Sequence, residues 1–344
     1  MSAGDIKGCK SVIFGVEGTK LTAAEKKFFA KTQPYGFILF ARNVEKPGQV
    51  KRLIAALRDV TGRPDVPVLI DQEGGRVQRL REPHWFEAKP FAFFGDLYAS
   101  DPDLASEALR LSSRLIAADL RACGITVNCT PCLDLRLPET VAAIGDRAFS
   151  DDPKVISLLG GIVAREFLSL GIMPVIKHMP GHGRATVDSH HELPCVTTSR
   201  KDLTDSDFAP FKALSLLPWG MTSHIIFEML DPKFPATQSK TVIDEIIRGE
   251  IGFDGLLLTD DLNMEALSGS LAFRAETALT AGVDIVLHCS GKMTEMQNVA
   301  VACPPLSPEA LARIERSAPV FALGSAPLDP AADRAALDRL LATT

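Results

Sequence analysis

Short aliphatic runs recur along the chain, each closing on a polar residue and each followed by a stretch whose apolar positions have helical spacing. Runs of this kind cover Ser11–Val16, Gly36–Phe40, Val66–Ile70, Ile125–Asn128, Ile172–Ile176, Gly220–Ser223, Gly255–Thr259 and Val283–Leu287. They are almost continuously apolar, which is the pattern of strands buried on both faces rather than on one. Between them, Asp103–Leu120 puts Leu104, Ala108, Leu111, Leu115 and Leu120 close to one helical face. A second helix is expected over Lys154–Leu170, where Asp152-Pro153 supplies a cap and a proline at the first helical position. Strand and helix alternating eight times predict a parallel (β/α)₈ barrel of TIM type. The competing fold is a doubly wound open sheet. No Gly-x-Gly-x-x-Gly follows the first run, and a dinucleotide-binding open sheet would usually carry one there.

No linker interrupts the first 320 residues. From Leu306 the chain turns rich in Ala and Pro, and Ser307-Pro308-Glu309 reads as a helix start. The expected organisation is one catalytic barrel over residues 1–325 and a helical C-terminal tail over 326–344. Of 344 residues, 46% are hydrophobic, enough for a sizeable core. Lys and Arg total 37 against 43 Asp and Glu, with no basic block, which argues against a nucleic-acid surface. No apolar run is long enough to span a bilayer, and the first residues lack the apolar segment of a secretion signal. Seven cysteines, an odd number in a long chain, do not look like a disulfide framework. The expected address is the cytoplasm, with no membrane partner.

A barrel builds its active site where the strands end. Here those ends carry Glu17, Asp71, Asn128, Lys177-His178, His224, Asp260-Asp261 and His288. Polar groups converging from several strands describe a ligand pocket. The segment IKHMPGHGRATVDSHHELP holds four of the seven histidines: His178, His182, His190 and His191. Pro180, Gly181 and Gly183 prevent His178 and His182 from sharing a helical face. His182 and His191 have an alternative role as braces of the loop. Asp188-Ser189-His190 can close on itself in a turn, fixing the histidine tautomer for acid/base work near neutral pH. Adjacent side chains on a strand alternate in direction, so one of Asp260 and Asp261 is expected in the pocket. A helix-capping role suits Asp261 better than Asp260. In DQEGGRVQR, Gly74-Gly75 allow a tight turn or a close backbone approach. Asp71 with Arg76 or Arg79 suits a polyol, although either arginine could equally lie on the surface. Cys129 and Cys132 have redox spacing but read as buried thiols. With two Trp and two Tyr in the chain, a compact pocket is favoured over an extended polysaccharide groove.

GFILFARN, DQEGGRVQR, IGDRAF, KHMPGHG with DSHHELP, MTSHIIF and TDDLNM occur in that order. In them the chain resembles the family 3 glycoside hydrolases, and within these the bacterial β-N-acetylglucosaminidases of cell-wall recycling. The resemblance implies a (β/α)₈ barrel acting on N-acetylglucosaminyl-anhydro-N-acetylmuramoyl fragments. It implies Asp260 as nucleophile and His190 with Asp188 as the acid/base dyad. Asp71, Arg79, Arg147, Lys177 and His178 would then hold the sugar, and no metal or organic cofactor is required. Met179 stands where the family usually has phenylalanine, and Thr259 and Asn263 where it has serines. Three rival chemistries keep different roles for these residues. A metal-dependent hydrolase would use His178, His182, His190 and Asp188 as ligands. An aldolase-like barrel would use Lys177 as a Schiff base. A non-catalytic barrel would bind sugar alone.

Overall fold

The computed structural model describes residues 6–322 and 327–342. Eight strands close a parallel barrel in chain order: β1 (Lys10–Gly15), β2 (Pro34–Leu39), β3 (Val68–Ile70), β4 (Val127–Asn128), β5 (Met173–Met179), β6 (Trp219–Thr222), β7 (Leu256–Asp261) and β8 (Ile285–His288). Closure pairs β1 with β8, Phe14 lying opposite His288. The closed order decides against the open sheet. Each expected run contains one of these strands or overlaps it by all but a few residues at its ends.

Alternation along the strands divides the core in two. Ile13, Leu69, Leu256, Leu258, Ile285 and Leu287 point into the barrel. Their neighbours Val12, Phe14, Val68, Ile70, Leu257 and Val286 point outward and pack beneath the helices. Because both faces are covered, neither shows a polar stripe, and the strands read as unbroken apolar runs.

The helix expected over Asp103–Leu120 runs Pro102–Cys123, with Asp101 as its cap accepting from the Leu104 N–H. Pro153–Ser169 is capped by Asp152, which accepts from the Lys154 N–H. Pro308–Ser317 is capped by Ser307 and closes the N-terminal end of the barrel. There Ala310 and Ile314 join the inner core, and the Trp219 indole donates to Ser317 Oγ at 3.1 Å. Further on, Pro330–Leu341 packs along Pro102–Cys123. Leu337 is buried there, and Asp333 meets Arg114 at 2.9 Å. The boundary expected at 325/326 lies outside the described residues. No helix among the described residues is long and apolar enough to cross a membrane.

Candidate active site

At the C-terminal end of the barrel a cavity of about 360 Å³ is lined by residues from several strands and their loops. Asp71, Arg79, Arg147, Lys177, His178, Asp188, His190 and Asp260 all border it. The other polar strand ends divide differently. Glu17 is exposed, and Asn128 is buried with both side-chain atoms bonded to the Gln72 backbone, tying β3 to β4. His224 bonds to Thr237 and to the Asp261 carbonyl, and His288 to Ser290. These three buried groups brace the site from outside the cavity.

One wall is a cluster of buried charges. Lys177 Nζ lies 2.9 Å from Asp71 and 2.6 Å from Glu73. Arg147 meets Glu73 with two nitrogens, each at 2.9 Å, and Arg79 reaches Asp71 at 3.2 Å. Burial opposes the charges of Asp71, Glu73, Arg147 and Lys177, but the partners outweigh it. The Asp71 and Glu73 carboxyls are held below their usual range and Lys177 is held above its own. Lys177 is thereby fixed as an ammonium, the wrong state for the Schiff-base chemistry of an aldolase.

The glycines make this wall reachable. Gly74 and Gly75 take positive φ of 107° and 56°, and a Cβ on Gly74 would sit 2.4 Å from the Lys89 carbonyl oxygen. The chain therefore turns back on itself. Gln72 Oε1 accepts from the Arg79 and Leu80 N–H groups, returning Arg79 to Asp71. Arg76 instead holds Asp146 and the carbonyls of Ala142 and Ala143, steadying the turn that carries Arg147.

Across the cavity, Asp188 Oδ1 accepts from the His190 N–H at 2.9 Å and from the ring Nδ1 at 2.8 Å. A carboxylate can only accept, so the proton sits on Nδ1 and Nε2 is left to exchange protons with a ligand. Burial pushes the Asp188 carboxyl up, but the His190 N–H and ring together bring it below the usual range. The loop docks on the segment after β7, the N–H groups of Ala266 and Glu265 meeting the carbonyls of Ser189 and His190 at 3.2 and 3.4 Å.

Both acids of the TDD sequence border the cavity, contrary to the expectation that one would turn away. The β7–β8 register slips between Leu258 and Asp261, so simple alternation fails at that point. Burial raises the Asp260 carboxyl, but His178, His224 and the Asp261 N–H bring it below the usual range. Asp261 is not a helix cap. It accepts from the N–H groups of Asn263 and Cys289, each at 3.1 Å, bridging the ends of β7 and β8. Burial, then the neighbouring Asp260 charge, lift its carboxyl to about 6.

Residues 6–318 match the glycosyl hydrolase family 3 N-terminal domain. The chain belongs to glycosyl hydrolase family 3. It is 36% identical over 315 residues to a β-hexosaminidase of Bordetella avium, covering 90% of this chain and 89% of that one. A Pseudomonas aeruginosa β-hexosaminidase is 38% identical over 285 residues, covering 82% of this chain and 83% of its own. NagZ from Neisseria gonorrhoeae, solved in complex with N-trifluoroacetyl-D-glucosamine, superposes with a TM-score of 0.77 at 30% identity. That superposition covers 92% of this chain and 99% of the other. The family is one of glycoside hydrolases, and this protein is such an enzyme.

Two residues of this glycoside hydrolase site escaped the sequence reading. Glu73 sits at the centre of the charge cluster, one residue before the glycine turn. Asp134 is fully buried beneath β5 and accepts from His178 Nδ1 at 2.7 Å. The signal for Glu73 was its place in DQEGG; Asp134, in CLDLR, had none beyond being an acid in an apolar stretch. The four ligands expected of a metal site are not grouped. His178 is bound by Asp134, His182 by Ser189, and His190 by Asp188. Cys132, Asp134 and His178 do lie within metal-ligand reach of one another. They are joined by direct hydrogen bonds, the Cys132 thiol donating to Asp134 at 3.0 Å. Cys129 and Cys132 are both buried free thiols.

Proposed function

We propose that this glycoside hydrolase is a retaining β-N-acetylglucosaminidase in which Asp260 is the nucleophile and His190, oriented by Asp188, is the acid/base. Asp260 attacks the anomeric carbon while His190 gives its proton to the leaving oxygen. Water then displaces the Asp260 carboxylate, and His190 takes the water's proton. Asp71, Arg79, Arg147, Lys177 and His178 hold the sugar, with Lys177 and Arg79 presenting fixed donors to its hydroxyls. The observation that carries this reading is the placing of an ionised carboxylate and an imidazole with a free Nε2 on one compact cavity. Acetamido selectivity is supported by the β-hexosaminidase relatives and by the glucosamine analogue in the gonococcal structure.

The natural substrate we infer is an N-acetylglucosamine-terminated muropeptide fragment, cleaved in the cytoplasm. All seven cysteines being free thiols agrees with a reducing compartment. No cofactor enters the scheme. The experiment is release of 4-nitrophenol from its β-N-acetylglucosaminide, with the β-glucoside as control and with EDTA added in parallel. Turnover selective for the acetamido sugar and indifferent to EDTA is expected. Asp260→Ala should abolish it while leaving sugar binding, read by calorimetry, close to that of the parent. Parental rates from that variant would end the nucleophile assignment, and loss with EDTA would return the metal chemistry.

A further inference from the structure

Resting on the Asp260/His190 reading, we propose that Asp134 is a positioning residue serving both halves of the catalytic machinery at once. Its Oδ2 accepts from His178 Nδ1 at 2.7 Å and its Oδ1 from the His178 N–H at 3.2 Å. That fixes the His178 ring with Nε2 toward Asp260, 3.8 Å from its Oδ2. The same Oδ1 accepts from the His182 N–H at 2.7 Å. The His182 ring packs edge-on against His178, with centroids 5.5 Å apart, and its Nε2 meets Ser189 Oγ at 3.1 Å. Ser189 is buried and lies between the two dyad residues, so its side chain adds a second seat for the otherwise exposed loop, beside the backbone bonds from Glu265 and Ala266.

Two arms therefore leave one carboxylate. The first runs through His178 to the nucleophile. The second runs through His182 and Ser189 to the acid/base. His178 is placed at Nδ1 and passes its placement on from Nε2, whereas His182 is placed through its backbone N–H and passes it on from Nε2. Charge supports the arrangement. Burial opposes ionisation of Asp134, but its imidazole neighbours hold the carboxyl below the usual range, keeping it an acceptor for all its donors.

The arms are separable. Ser189→Ala cuts the second arm alone and touches neither Asp260 nor the sugar cluster. On the 4-nitrophenyl glycoside the first step needs no proton, so kcat/KM should stay within about threefold of the parent. Both kcat and KM should fall by about 10²-fold as the glycosyl-enzyme accumulates for want of a placed base. Azide, which displaces the Asp260 carboxylate from the anomeric carbon without giving up a proton, should restore turnover as glycosyl azide. His182→Phe should match Ser189→Ala, and the double variant should be no worse than either, because both cut one arm.

Asp134→Asn cuts the first arm and leaves the second. The amide oxygen can keep both backbone N–H groups, but the amide nitrogen donates where the carboxylate accepted, turning the His178 tautomer around. Here kcat/KM itself should fall by about 10²-fold or more, with no rescue by azide. Parental kinetics in Asp134→Asn, or full rescue of it by azide, would overturn the dual role. So would Ser189→Ala with kcat unchanged. If Asp134→Asn fails to fold, the matched and non-additive effects of Ser189→Ala and His182→Phe carry the decision. His190→Ala is run beside them. Azide failing on that variant too would sink the Asp260/His190 reading itself, and with it this inference.

Discussion

Asp71, Glu73, Arg147 and Lys177 form a wall in which each buried charge has at least one partner of opposite sign, placed before any ligand arrives. Facing it, the His190 ring rests on a single carboxylate with 61% of its side chain exposed. The difference follows the two tasks. Recognition of hydroxyls gains from donors that need no reorganisation when sugar binds. Proton exchange must serve first a leaving sugar and then a water, so its group belongs on a segment able to move between them. The same division assigns stability to one wall and turnover to the other.

The largest effect should come from breaking the buried wall. Glu73→Gln leaves Lys177 and Arg147 facing an uncharged amide with Asp71 as their remaining nearby acid. Removing one partner of a buried ion pair costs about 3–5 kcal/mol. Chemical unfolding should show a loss of that order, and KM for the aryl glycoside should rise with it. A stability loss below about 1 kcal/mol would mean that the cluster is wetter and weaker than its geometry indicates.

His190→Ala should give the opposite profile. Unfolding should change by no more than about 0.5 kcal/mol, as for an exposed side chain. Turnover of substrates with poor leaving groups should fall by about 10²–10⁴-fold, and less for the activated aryl glycoside in its first step. Equal losses on both substrates would make His190 a binding residue and dissolve the contrast between the walls.

How far the sequence showed this depended on what each residue answers to. The barrel was legible because strands covered on both faces become apolar runs that differ from helices in period and length. Cavity residues at strand ends, such as Asp71, Lys177 and Asp260, were legible because a charge straight after a buried run is costly unless a partner or a ligand meets it there. Asp134 was not, since it touches no ligand space and answers only to groups that the fold brings to it from β5 and the loop beyond. The joint presence of Asp260 and Asp261 on the cavity was misread for a different reason. It depends on a register slip between β7 and β8, and no residue in LLLTDD announces one. Both failures concern geometry created between elements rather than within them.

The seam between the two walls yields the smallest effect and tests whether the walls are coupled. Asp261 and His182 both lie there, with carboxyl and imidazole moved in opposite senses, to about 6 and about 4. Burial is the leading cause in each case, aided by the Asp260 charge for one and His178 for the other. The folded protein binds the Asp261 proton more tightly than the unfolded chain, whose aspartate pKa is near ~3.9. That contribution to stability is present below the unfolded value and is lost as pH rises through about 6. His182 works the other way. Its folded form resists a proton that the unfolded chain takes up near ~6.5, so its contribution is present above that pH and is lost as pH falls toward about 4. In the parent the two slopes oppose one another across this window. Asp261→Asn keeps the acceptor for the Asn263 and Cys289 N–H groups and removes the first slope, so its stability should climb more steeply with pH than the parent's. His182→Phe removes the second slope, so its stability should climb less steeply or decline. Chemical unfolding at several pH values between about 4 and 7 measures both, with divergences of the order of 1 kcal/mol end to end after allowing for solvent at the half-buried Asp261. Curves parallel to the parent's in both variants would show that neither group titrates with folding, and that the seam transmits no charge state from one wall to the other.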